Sequence, residues 1–182
     1  MPPTQALTAG VDIEASGEIE QPAPKPDKRA GLSPLASSQS RQGFRIGELR
    51  LMIRYEDASE LAEISVIHRL PNAPVWFCGI ANLHGKLTPV FDLARYFGVD
   101  PDPAIKRMLL VISRGSDATG VLIDGLPERL RCPEDESTEA GALPERLMPH
   151  IRGASLVGEQ PWLDLDTHSL LGAIEQSIGQ SQ

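Results

Sequence analysis

Three groups of residues in this 182-residue chain have types and spacing that could do chemistry. Cys78 lies between His68 and His84, the makings of a small cysteine-dependent hydrolase in which an imidazole takes the proton of the thiol. Asp164 and Asp166 stand at i and i+2, as paired carboxylates for acid–base work would. GVLIDGLP carries glycines of the kind that line phosphate loops. Each group meets a physical objection. A nucleophilic cysteine belongs at a helix N-terminus or an exposed elbow, whereas Cys78 follows Trp76 and Phe77 at the start of a strand, where burial is favoured. The two aspartates fall where a strand runs into a helix, so capping and solvation are the simpler roles. GVLIDGLP lacks the Lys-Ser/Thr pair and the long following helix of a phosphate loop. Cys78 and Cys132 form no C-x-x-C pair, and His68, His84, His150 and His168 show no metal-ligand spacing. No catalytic residue, metal or cofactor is therefore expected, and the thiols read as half-buried side chains suited to a reducing cytoplasm.

The remaining chemistry lies in GIANLHGKLTPVFDL (residues 79–93). His84-Gly85 reads as a two-residue turn between strands 80–83 and 86–91, with glycine supplying positive φ. Pro89 removes an amide donor and belongs on an edge or at a bulge. Asp92 is placed to cap a one-turn helix over 93–97, which Gly98 stops. Asn82, His84 and Lys86 alternate with Ile80, Leu83 and Leu87, a polar set beside exposed apolar residues of the kind that forms a docking face.

The elements around this hairpin are short. Residues 1–42 hold QPAPKPDK and GLSPLASSQS, rich in Pro, Ser and Ala, without aromatic residues or sustained periodicity. Such a segment cannot bury enough apolar surface to offset its ordering entropy, so a flexible tail is expected, with a short helix within 11–20 as the alternative. GFRIGELRLMIRY reads as a hairpin about Gly47-Glu48. Residues 61–64 and 66–67 read as a strand, or 58–67 as a short helix, followed by the loop LPNAP. Residues 99–106 form a linker. MLLVIS is a buried strand, GVLID its partner across the turn RGSDAT, and residues 129–132 a further strand. PEDESTEAGA is an acidic loop, HIRGASLV and QPWLDLD are strands joined at Gly158-Glu159, and Asp166 or Thr167 caps a last helix from Ser169 to about Ile178. Many short strands and no long amphipathic helix make an all-β fold of small barrels, in two hairpin clusters.

Composition narrows the partners. The formal charge of -8 repels phosphate backbones, and aromatics at 4% leave little to stack on bases, so a nucleic-acid-binding barrel is disfavoured. The N-terminus lacks a basic start and an apolar core, so it is no secretory signal. The longest apolar run, 108–112, is far below the ~20 residues of a membrane span. A soluble, cytoplasmic protein is expected, reaching membranes only through partners.

At these residues the chain resembles the CheW family, the adaptors of bacterial chemosensory arrays. Glu63-Ile64, then LPNAPVWFCGIANLHG and KLTPVFDLARYFG, match the family pattern in order and spacing. That pattern is a Glu-Ile step, a Pro-containing loop, a Trp or Phe, a Gly-Val-x-Asn-Leu-Arg-Gly hairpin, then x-x-Pro-Val-x-Asp-Leu and a short helix ending in Gly. MLLVIS, GVLIDGLPERL and HIRGASLVGEQPWLDLDTHSLL match its second half, so the likeness covers about residues 43–171. The start at Gly43 and the ending GEQPWLDL look most like adaptors of type IV pilus (twitching) systems.

The resemblance implies a fold and a role. The fold is two small five-stranded SH3-like β-barrels packed side by side within residues 43–178. The first would span about 43–98 and the second about 106–166, with a C-terminal helix at about 167–178. The role is a non-enzymatic adaptor between a CheA-type histidine kinase and the cytoplasmic tip of a methyl-accepting chemoreceptor, monomeric alone and assembled in arrays. It implies receptor contacts at Glu63, Ile64, Asn82, His84, Gly85 and Lys86. It implies kinase contacts at the turn Gly125, Leu126 and Pro127. One departure is His84, where the family usually has Arg, a permanent charge with a planar fork of donors.

Overall fold

The computed structural model describes residues 39–179 apart from 65, 115–116 and 133–136. The expected tail therefore falls mostly outside the described residues. In chain order the elements are β1 (Gln39–Ile46), β2 (Leu49–Arg54), β3 (Ala58–Ala62), β4 (Ile67–His68), β5 (Phe77–Leu83), β6 (Lys86–Phe91), α1 (Leu93–Phe97), β7 (Arg107–Arg114), β8 (Asp117–Cys132), β9 (Ser137–Thr138), β10 (Ile151–Val157), β11 (Gln160–Leu165) and α2 (Thr167–Gly179). The all-β expectation holds, with two helices, and the hairpin turns fall at Gly47-Glu48, His84-Gly85 and Gly158-Glu159.

Two strand groups share β8. Its first half pairs antiparallel with β7, from Arg114↔Asp117 to Arg107↔Asp124. Around that pair stand β3 against β7, β6 against β8, then β5 and β4. The second half of β8 pairs with β1, followed by β2, β11, β10 and β9, and β10 returns to approach β8. Each group forms a small barrel around its own interior. Ala81, Val90, Leu109 and Leu122 fill one, and Met52, Leu130, Cys132 and Trp162 fill the other.

Between the barrels lies a larger core, and strand period explains it. In β7, Leu109 enters the barrel interior while Leu110 and Ile112 enter the shared core. In β2, Met52 points one way and Leu51 and Ile53 the other. Strands buried on both faces read as unbroken apolar runs, which is why MLLVIS does not alternate. Helix α2 lays Leu170, Leu171 and Ile174 into the same core, and α1 adds Leu93, Ala94, Tyr96 and Phe97. With few aromatics available, Phe91 and Tyr96 both pack against Trp76 there, the Trp76 and Tyr96 ring centroids 5.1 Å apart and edge-on.

Four expectations need correction. The barrels are not successive halves of the chain. β1 and β2, expected with 43–98, join β10 and β11, whereas β7 and the first half of β8 join β3 to β6. Pairing between distant strands overrides sequence order. Order also begins before Gly43, since Gln39, Ser40, Arg41 and Gln42 pair with Cys132, Arg131, Leu130 and Arg129. Backbone bonding holds these polar residues in a strand that no apolar pattern marks. None of the described residues within 58–67 is helical, and the strand stops at Ala62, with Glu63 and Ile64 outside it. Finally, Gly125, Leu126 and Pro127 do not turn the chain between two strands. They bulge out of the continuous β8 where its pairing jumps from Arg45↔Asp124 to Gly43↔Glu128. Gly125 supplies φ +76, and a bulge tolerates Pro127 because no ladder bond is required there.

Candidate functional site

The β5–β6 hairpin is built from its turn outward. His84 and Gly85 both adopt positive φ, 51° and 82°, the conformation of a primed two-residue turn that matches strand twist. Asn82 fixes it, its Oδ1 accepting the Gly85 amide at 2.8 Å. The side chain of His84 is 78% exposed, as a turn tip should be, yet its Nε2 lies 2.7 Å from Glu60 Oε1 on β3. The histidine thus ties the turn to a neighbouring strand. Lys86 and Leu87 are exposed, Leu87 at 77%, while Ile80 and Pro89 are half-buried across from each other. Leu83 turns inward against the barrel interior and leaves the expected exposed apolar set. β8 joins β6 only at Val90 and Phe91, so Pro89 sits where the strand is still an edge.

Glu63 and Ile64 flank the same barrel. Glu63 Oε1 accepts from Lys106 Nζ at 2.6 Å, and that bond and the lysine charge hold its carboxyl below the usual range. Ile64 is 42% exposed. Lys106 also accepts, through its carbonyl, the amide of Gly125 at 3.0 Å. The structure therefore brings Asn82, His84, Gly85 and Lys86 together in one hairpin and sets Glu63 one contact from the bulge at Gly125. Leu126 is 73% exposed at that bulge, with Gly125 and Pro127 half-buried beside it.

Behind these surfaces lies a buried ionic node that the local sequence did not reveal. Asp92 caps α1 as expected, accepting the Arg95 amide. It also takes two parallel bonds from Arg107, Nη1 and Nη2 at 2.9 Å each. Arg107 Nε lies 3.5 Å from Asp124 Oδ1, and Asp124 Oδ2 accepts the amides of Gly47 at 2.6 Å and Asp102 at 3.2 Å. Burial pushes the Asp92 carboxyl up, but the Arg107 bonds and charge, with help from Arg95, hold it below its ordinary value on balance. The node pins the β1–β2 turn, the 99–106 linker, α1 and β7 together.

The hydrolase arrangement is not assembled. Cys78 is half-buried, and burial pushes its thiol up, away from the thiolate a nucleophile needs. His84 is engaged with Glu60, and His68 stands on β4 opposite Ile80. Asp164 and Asp166 also have separate tasks. Asp164 pairs with Arg41 at 3.2 Å and is raised by burial against the pull of Arg41, Arg152 and Arg54. Asp166 accepts the Ser169 amide as the α2 cap and pairs with Arg152. Surface grooves of about 600 and 560 Å³ lie elsewhere, one beside Leu70, Pro74 and Ile178, the other beside Trp76, Tyr96, Arg146 and His150. Among the described residues no group of His, Cys, Asp and Glu could hold a metal, and no helix is long and apolar enough to cross a membrane.

Comparison with known proteins agrees with this geometry. The model of the CheW-like domain matches residues 42–175. Protein PilI of Pseudomonas aeruginosa is 30% identical over 130 residues, covering 70% of this chain and 72% of that one. Chemotaxis protein CheW of Klebsiella aerogenes is 24% identical over 139 residues, covering 74% and 82%. Among solved structures, the scaffolding protein TtCheW of Thermoanaerobacter tengcongensis superposes with a TM-score of 0.64 at 20% identity, covering 77% of this chain and 90% of that one.

Proposed function

The chain belongs to the CheW-like domain family, and from that premise we propose that it is a non-enzymatic adaptor coupling methyl-accepting chemoreceptors to a CheA-type histidine kinase in an array that controls motility. The receptor side is the hairpin Asn82, His84, Gly85 and Lys86 with Glu63 and Ile64. The kinase side is the bulge Gly125, Leu126 and Pro127. The likeness to PilI favours the type IV pilus branch. The observation that carries the reading is the match to the CheW-like domain over residues 42–175, and the kinase side is supported by Leu126 exposed on a bulge that backbone bonds hold in place. An apolar side chain held at 73% exposure offers an anchor for a partner's pocket. On the receptor side, a polar turn locked by Asn82 presents His84 without loop-ordering cost on binding.

Calorimetry of the full chain against a kinase regulatory domain and a soluble receptor-tip fragment tests both sides. His84→Glu is expected to weaken the receptor fragment alone, Leu126→Asp the kinase domain alone, and His84→Arg to keep receptor binding. Folding free energy should move by only about ±0.5 kcal/mol in His84→Arg and Leu126→Asp, as at surface sites, whereas His84→Glu sets a second carboxylate against Glu60 and should cost about 1 kcal/mol while leaving the domain folded. Receptor affinity unchanged in His84→Glu would remove the hairpin from the interface, and kinase affinity unchanged in Leu126→Asp would remove the bulge.

A further inference from the structure

The β1–β2 hairpin places arginine opposite arginine twice on one face. Arg41 pairs in register with Arg54, and Arg45 with Arg50, with Gly43 and Met52 between them. Like charges directly opposite across a strand pair are destabilising, so each rung calls for an anion. The first rung has one: Asp164 lies 3.2 Å from Arg41, and both Arg41 and Arg54 act on its carboxyl. The second has none among the described residues, since no ion pair joins Arg45 or Arg50 to a carboxylate. Asp124, opposite Arg45 on β8, turns its carboxylate instead to the Gly47 and Asp102 amides and to Arg107. Arg45 is exposed and Arg50 half-exposed. The open rung also adjoins the bulge, because Arg45 is the last residue paired before β8 bulges at Gly125, Leu126 and Pro127.

We propose that the Arg45–Arg50 rung and Leu126 form one docking surface for a protein partner whose apolar socket is bordered by carboxylates. This rests on the kinase-docking reading and gives that surface its chemistry: the kinase's regulatory domain meets it with an acidic rim. Leu126 fills the socket, and the partner's carboxylates supply the counter-charge that Asp164 provides at the other rung. In a chain of formal charge -8, an uncompensated arginine pair also steers an acidic surface to this end and away from the rest.

The test is calorimetric titration of the full chain with a kinase regulatory domain at several salt concentrations, using Arg45→Glu, Arg50→Glu, Arg45→Gln and Leu126→Asp. Each charge reversal is expected to weaken binding about threefold or more and to flatten its salt dependence, the behaviour of a charged rim. The thermal midpoint should stay level or rise in Arg50→Glu, which relieves the facing repulsion, whereas Arg45→Glu also sets a carboxylate opposite Asp124 and should leave it level or slightly lower. If Leu126→Asp weakens binding while the arginine variants and added salt leave it unchanged, the acidic-rim inference is overturned and the kinase reading stands. If Leu126→Asp changes nothing, or the wild-type chain does not bind, the kinase reading fails and takes the inference with it. Should a reversal fail to fold, Arg45→Gln and the salt dependence of the wild type decide: affinity independent of salt overturns the proposal.

Discussion

Replacing Arg107 with methionine removes the cation that two buried carboxylates share while keeping a side chain of similar reach. The Asp92 side chain is 5% exposed and that of Asp124 1%. Breaking a buried pair by deleting one partner costs about 3–5 kcal/mol, because the other charge is left desolvated. Here the cost should fall near the lower end. Asp92 keeps the Arg95 amide and the Arg95 guanidinium at 3.4 Å, and Asp124 keeps the Gly47 and Asp102 amides. A loss of about 3 kcal/mol, with a urea slope of about 1.5 kcal/mol/M, moves the midpoint down by about 2 M. The pH dependence supplies a second reading. In the wild type the folded pKa of Asp92 is lowered, so its contribution is complete above the unfolded value of about 3.9 and is lost as pH falls through the depressed folded value. In the variant, burial dominates and raises the folded pKa, so the folded state binds the proton first. Acidification from pH 7 to about 4.5 should then narrow the gap between variant and wild type. A midpoint loss under about 0.5 M, or a gap that widens in acid, would refute the claim that Arg107 neutralises this node.

Three further outcomes follow from backbone geometry and pairing. Gly47→Ala should destabilise by about 2 kcal/mol or more in the same urea assay, since φ is +56° and a Cβ would stand 2.2 Å from the Asp100 carbonyl oxygen. Deleting residues 1–38 should leave the thermal midpoint within about 3 °C of the full chain, because that segment carries no core-like periodicity. Deleting 1–42 should lower it by roughly 4–10 °C, because it removes four residues of β1 and the Arg41 partner of Asp164.

What the sequence disclosed and what it withheld divide along sequence distance. The His84-Gly85 turn, the Asp92 cap and the Gly98 stop were all legible, because each is decided by residues within one turn of chain. The partners of the same side chains were not. Glu60 meets His84 across two strands, and Asp124 meets Gly47 at a separation of 77 residues, with no local pattern to mark either. The Gly-Leu-Pro triplet reads locally as a turn, and only the pairing of β1 with both sides of it makes it a bulge. The division into barrels is hidden for the same reason: order along the chain groups strands into successive halves, whereas β8 is long enough to serve both groups. Family resemblance supplied the adaptor role, yet it gave no reason for His84 in place of arginine. The 2.7 Å contact with Glu60 shows that a shorter side chain still reaches a carboxylate from this turn.

Lys106 and Arg107 set the geometry between the two proposed surfaces. The Lys106 ammonium reaches Glu63 on the proposed receptor side, and its carbonyl holds the Gly125 amide beneath the bulge on the proposed kinase side. The next residue, Arg107, clamps Asp92 at the foot of the β5–β6 hairpin and faces Asp124 at the foot of the bulge. Signalling through a protein requires an element with two arrangements whose balance both sites can bias. A strand paired on both edges, anchored by a buried bidentate ion pair, provides one arrangement. The fold therefore suits a rigid spacer that fixes the angle between the two proposed surfaces. On this argument Arg107→Met, where it remains folded, should leave each separate affinity near the wild-type value and weaken the assembly that requires both partners at once.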